Sequence, residues 1–218
     1  MKKLGQLYSD AKILGRVFSM LGIFLDQETT GLDCYRHKVL ELACKVVDLT
    51  TGAVVAEYES IVFQPDEVWQ ARDSGAIQVN GFKKEDLLQG KPIEQIASEI
   101  IALFTKCNIQ RSKAFFICAN PSFDRPFFSQ LIPAYTQEKL NWPYHWLDLA
   151  SMYWALQMQK TYQLEKELPD SILLSKDNIA AAQQLPKEDK PHRAMQGVDH
   201  LLLCYRHTVG FLQPKVDF

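Results

Sequence analysis

At 218 residues, 47% of them apolar and 23% charged, the chain is long enough for one well-buried domain and short for two. Its formal net charge of −2 excludes a broad electrostatic attraction to polyanions, so any contact with nucleic acid has to be local and assisted by cations. The five cysteines, at 34, 44, 107, 118 and 204, contain no C-x-x-C pair, which argues against a zinc site or a disulfide framework and fits reduced thiols in a cytoplasm.

In chain order, Leu4, Leu7, Ala11, Leu14 and Phe18 recur at helical spacing and predict an amphipathic leading helix over residues 1–18. The apolar stretch from Val17 to Leu25 is broken by Ser19 and Gly22 and ends at Asp26, too short for a membrane span, and no small-residue cleavage site follows it. "LGIFLD" reads as a buried strand. "HKVLELACKVVDLTTG" and "AVVAEYESIVFQP" follow as alternating strands around a Thr51-Gly52 turn, giving an antiparallel meander. A helix is expected over Pro92 to Lys106, then "AFFICAN" as another buried strand. "DRPFFSQLIPAYTQ" predicts a helix with Pro126 in its first turn, "WLDLASMYWALQMQ" a helix, and "SKDNIAAAQQL" a short helix capped by Ser175. "VDHLLLCYRHTVGF" predicts the closing helix. Strands in succession, then strand alternating with helix, describe an α/β domain built on a mixed sheet flanked by helices.

Three places on this frame carry chemistry. In "FLDQETTGL", Asp26 and Glu28 share a face of the strand, and at about 6 Å and an effective dielectric near 20 they repel by roughly 2 to 3 kcal/mol. Something positive is needed between them, unless they are simply solvated at a strand end. "ANPSFDRPFF" puts Asp124 near a helix start, where an acid can also be only a cap and Asn120 only a turn former. "PHRAMQGVDHLLLCY" brings His192 in a Pro-flanked loop and Asp199 at the head of an apolar helix. Phe82, Phe123 and Phe127 are stacking or core residues, and Lys83, Lys84, Lys187, Lys190 and Arg193 are phosphate contacts or a solvated face.

Together these stretches resemble the DEDDh family of 3′-to-5′ exonucleases, which includes polymerase proofreading subunits, ribonuclease T and oligoribonuclease. "FLDQETTGL" looks like the family's first motif, "NPSFDRPFF" like its second and "PHRA" like the start of its third. "GAIQVNGFKKEDL" and "WLDLASM" resemble the connecting segments. The resemblance covers about residues 21–210 and implies a single exonuclease domain over 1–218 with a ribonuclease H-like fold, three antiparallel strands followed by parallel ones.

The activity it implies is metal-dependent hydrolysis of phosphodiesters at the 3′ end of single-stranded DNA or RNA, releasing nucleoside 5′-monophosphates. Asp26, Glu28, Asp124 and Asp199 would hold two divalent ions, Mg²⁺ or Mn²⁺, with His192 as general base. Thr29, Thr30, Leu32, Asn120 and Phe123 would contact the terminal nucleotide, and a homodimer is compatible with the family. One departure stands out. The family's last acid follows the histidine by five positions, and here that position is Gly197; the nearest acid, Asp199, follows by seven. Five and seven residues differ by about 200° around a helix, so Asp199 can serve only if two residues are looped out before the helix begins. Glu188 and Asp189 are the competing acids, read as solvated loop charges. Two rival functions follow: a degenerate relative that binds nucleic acid or protein without cutting, and a phosphodiesterase of small nucleotides.

Overall fold

The computed structural model describes residues 20–164 and 171–212, so the predicted leading helix lies outside the described residues. Five strands, β1 (Leu21–Thr29), β2 (Val39–Asp48), β3 (Val54–Ile61), β4 (Ala114–Cys118) and β5 (Trp146–Asp148), form one sheet in the order β3-β2-β1-β4-β5. β1 pairs antiparallel with β2 and parallel with β4, β3 is antiparallel to β2, and β5 is parallel to β4. This is the ribonuclease H-like arrangement expected from the sequence.

The central place of β1 explains its composition. Both its edges are paired and both its faces are covered, so Ile23 to Leu25 can be apolar on both faces and fully buried. Ile23 and Leu25 pack on one side with Ile96, Ile100 and Phe104, which recur every fourth residue along α4 (Ile93–Lys106). Helices α1 (Asp66–Gln70), α2 (Ser74–Asn80) and α3 (Lys84–Leu88) precede it as short links from β3. Phe127 and Phe128 of α5 (Pro121–Leu131) complete that layer, followed by α6 (Ala134–Lys139). Phe24 points to the opposite side, against Leu149 of α7 (Leu149–Gln163), Ile179 of α8 (Lys176–Ala182), and Val198, Leu201 and Tyr205 of α9 (Ala194–Thr208). Alternation then puts Asp26 and Glu28 on the face of Phe24, toward α9.

Three boundaries differ from the sequence expectation, each for a local reason. α5 begins at Pro121 rather than near Asp124, because Pro121 fits the first helical position, where no N–H is needed. Pro126 therefore lies inside the helix and Asp124 in its first turn. Trp146 to Asp148, expected to be helical, is a strand: its backbone pairs with β4, and Trp146 stacks on Phe116 with ring centroids 4.1 Å apart and planes at 9°. Asp148 then caps α7, accepting from the N–H groups of Ala150 and Ser151 at 3.0 and 3.2 Å. Finally, α9 begins at Ala194, so Gly197 is already helical and no residues are looped out ahead of it.

Phe116 is fully buried and also packs 5.5 Å from Phe128 and 6.2 Å from Phe104, centroid to centroid. Phe116→Ala should lower stability by about 3 to 5 kcal/mol, measured as a shift of the urea midpoint at constant slope.

Candidate active site

Asp26 and Glu28 lie within β1 rather than beyond its end, and a bulge in the pairing falls just after Glu28. Such a bulge re-aims the strand beside a site. Burial, with the charges of Glu188 and Glu41 adding to it, raises the Asp26 carboxyl to about 6 despite the attraction of Lys176. Burial, with Asp26 and Glu41 close by, pushes Glu28 up to about 8. Asp124 is buried on the first turn of α5, and the amide of Gln27 donates to its backbone carbonyl at 2.8 Å, tying that turn to β1. Burial and the neighbouring Asp26 hold its carboxyl well above the usual range.

The third segment departs from expectation. Gly197 faces Asp26 so closely that a Cβ there would stand 1.6 Å from Asp26 Oδ2. Asp199, two residues on, points away and is ion-paired with Lys45 of β2, its side chain 55% exposed. Because α9 is already helical at Gly197, the angular offset between the two positions cannot be absorbed, and Asp199 is not brought to Asp26. The acid that does arrive is Glu188, from the loop before α9. Its side chain is 4% exposed, and it accepts from Lys176 Nζ at 2.8 Å through Oε2. Its Oε1 is buried without a hydrogen-bond partner and would lie 3.1 Å from a Cβ on Gly197. The backbone N–H of Glu188 donates to Asp177 Oδ1 at 3.1 Å, and the His200 ring meets the Pro186 carbonyl at 2.8 Å, which together fix the loop.

Lys176, the first residue of α8, had no role in the sequence reading, where only its neighbour Ser175 stood out as a cap. Ser175 does accept from Asn178 N–H at 3.3 Å, and this start to the helix aims Lys176 into the cleft. Burial alone would lower its pKa, but Asp26 and Glu188 outweigh that and hold the ammonium above its ordinary value. Glu41 was also missed. It sits opposite Glu28 in the β1–β2 register, and its Oε2 accepts from the Ala194 N–H at 2.8 Å, capping α9 from another strand.

His192 reaches the same cleft. Its backbone N–H donates to Val79 O at 3.0 Å, and Asn80 donates to Thr29 O at 3.1 Å, so the end of α2 braces both the histidine loop and β1. The cleft holds about 400 Å³ and is lined by Asp26, Glu28, Thr29, Lys176, Glu188 and His192, with Leu32 and Phe123 supplying apolar surface. Of the other expected nucleotide contacts, Thr30 is buried, its hydroxyl engaged by His37 Nδ1 at 3.2 Å and Lys38 N–H at 3.0 Å. Asn120 precedes α5 and does not line the cleft. Phe82 and Phe127 are core residues, Arg193 lies over the Phe82 ring, and Lys84 pairs with Asp66.

Oxygen donors of this kind suit a hard divalent cation, and the orphaned Glu188 Oε1 is a donor left for one. Among the described residues no three acids, histidines or cysteines already stand together in a metal-binding arrangement. The oxygen donors fit in kind, and an ammonium that cannot ligate a metal stands beside them.

A ribonuclease H-like sheet with two acids of β1 in a cleft and a third, Asp124 of α5, buried beside Asp26 is the architecture of a nuclease. The family model described as exonuclease, of the ribonuclease T type, matches residues 23–200, and the chain belongs to this DEDDh exonuclease family. Among solved structures, E. coli Exonuclease I bound to a dT13 oligonucleotide superposes with a TM-score of 0.65 at 17% identity, covering 87% of this chain and 41% of its own. The zinc-bound form of the E. coli enzyme with single-stranded DNA gives 0.65 at 16%, covering 86% and 40%. Cell-death related nuclease 4 gives 0.63 at 11%, covering 89% and 66%. This chain thus spans about two fifths of Exonuclease I. No curated protein matches it by sequence. No helix among the described residues is long and apolar enough to cross a membrane.

The raised carboxyls have a consequence for stability. Unfolded, they titrate near about 4; folded, Asp26 and Glu28 keep their protons to about 6 and about 8. The folded chain binds those protons more tightly, so stability falls as pH rises through that window. In chelator, the melting temperature should fall between about pH 4 and about pH 8, and added Mn²⁺ should restore it. Glu28→Gln should flatten the upper part of the fall; a melting temperature constant across the range would show that these carboxyls ionise without penalty.

Proposed function

We propose that the chain is a divalent-metal-dependent 3′-to-5′ exonuclease acting on single-stranded DNA or RNA and releasing nucleoside 5′-monophosphates. The observation that supports this most is the meeting of Asp26 and Glu28 from β1 with His192 in one cleft, backed by Asp124. A volume of about 400 Å³ is at the small-ligand end of binding sites, roughly 300 to 1,000 Å³. It suits a strand end rather than a duplex. The reduced thiols read from the sequence favour a cytoplasmic setting.

Asp26, Glu28, Asp124 and Glu188 would hold the metal, which when bound supplies Lewis-acid stabilisation of phosphoryl charge and an activated water. His192 would serve as general base toward the attacking water, mounted on a loop whose backbone is fixed by Val79 and whose following helix is capped by Glu41. Leu32, 84% exposed at the cleft mouth, and Phe123 offer apolar faces to the terminal bases, and Thr29 its polar edge. Glu188 takes the place the sequence reading gave to Asp199.

A second reading, a relative that grips a 3′ end without cutting it, is favoured by Gly197 standing where the family has an acid. The two are separated by incubating the protein with 5′-labelled single-stranded DNA and RNA, with Mn²⁺ or with chelator. Mononucleotides released stepwise from the 3′ end only with Mn²⁺ support the enzyme. Retention of the intact labelled strand supports the binding module, and cleavage of circular single strands defeats exonuclease action.

His192→Ala should slow release by on the order of 10² to 10⁴ with metal affinity kept; calorimetry showing lost metal affinity would make it a ligand instead. Asp199→Asn should leave the rate within a factor of about two. Glu188→Gln should lower it at least about tenfold. The opposite order in a Mg²⁺ titration would return the fourth carboxylate to Asp199.

A further inference from the structure

Adjacent buried acids require positive charge, and the chain brings some of its own. Lys176 Nζ lies 2.8 Å from Glu188 Oε2, 3.2 Å from the Gly197 carbonyl and 3.8 Å from Asp26 Oδ2, with its side chain 13% exposed. An ammonium has three protons to donate, and these three oxygens surround it. Taking such a group out of water is costly unless its charge and protons are both matched. Here they are matched by the same Asp26 carboxylate that the nuclease reading assigns to metal.

The Asp26 carboxylate can stand where it meets this ammonium because position 197 has no side chain. With a Cβ only 1.6 Å from Asp26 Oδ2, no acid at 197 is compatible with the observed position of Asp26. The carboxylate arrives instead from Glu188, and it comes already paired with a cation. Its second oxygen, Oε1, is buried, unpartnered and directed at the Gly197–Asp26 contact. Two divalent ions beside Asp26 would have to share its oxygens with Lys176 at close range, and like charges at such distances repel strongly in a site with little water.

We propose that Lys176 is a resident cation that takes the place of one of the two metal ions, so that the site binds a single divalent ion, with Glu188 as the residue that positions the ammonium. The proposal rests on the metal-dependent nuclease reading for the ion that remains. Asp26, Glu28 and Asp124, with the free Oε1 of Glu188, are then left to that ion, and Lys176 supplies fixed positive charge beside the bound phosphodiester.

The test is calorimetric titration of the purified full chain with MnCl₂, without nucleic acid. The unmodified protein should take about one Mn²⁺ per chain. Lys176→Gln, which keeps the length and removes the charge, should take a second ion or bind the first at least about tenfold more tightly. Two ions on the unmodified chain, or a Lys176→Gln isotherm that superimposes on it, would overturn the proposal. The count on the unmodified chain needs no variant, so the test survives if Lys176→Gln does not fold. An unmodified chain that binds no Mn²⁺ at any concentration defeats the nuclease reading together with this one, whereas two ions defeat this one alone.

Discussion

The central strand carries its acids where water reaches them only from the cleft, and the cost of that placement shapes the rest of the site. Asp26 and Glu28 share a face by the two-residue repeat of the strand, and the register brings Glu41 opposite Glu28. Glu41 finds its compensation in the N–H of Ala194, which orients α9. Asp26 finds it in Lys176, which Glu188 holds in place, and Asp26 itself has room only because residue 197 is glycine. Each of these residues has its place because a buried negative charge needed an answer.

The same economy positions the groups without charge. Gln27 faces away from the cleft acids along β1 and carries the first turn of α5, and with it Asp124, through one hydrogen bond. Asn80 spans from α2 to the Thr29 carbonyl, and the adjacent Val79 carbonyl takes the N–H of His192. Side chains from β1, α5, α8 and the loop before α9 thus meet on a backbone held by a few specific bonds. Sites mounted this way keep their geometry better than sites on free loops.

Much of this was readable from the sequence. The strand pattern gave the sheet because alternation and apolar runs report burial directly, and the pairing of D-x-E with a later acid and histidine pointed to the cleft. What stayed hidden depended on distances between remote segments. Nothing local in "PKEDKPHRA" separates Glu188 from an ordinary loop charge; its burial exists only once Lys176, His200 and Asp177 surround it. Asp199 looked plausible because the start of α9 was uncertain by a few residues, and half a turn of helix decides whether a side chain meets Asp26 or Lys45. Trp146 is a comparable case in the fold, where an aromatic stack with Phe116 overrides a helical pattern.

Gly197 also limits how such a site can change over generations. Any single substitution that puts an acid there meets Asp26 before it meets a metal, and it adds a negative charge to a cluster whose lysine is already committed. Losing Lys176 first leaves Glu188 buried and unpaired, and losing Glu188 first leaves the ammonium leaning on Asp26 alone. Single changes at 176, 188 or 197 therefore each cost stability on their own, and the three positions are energetically coupled.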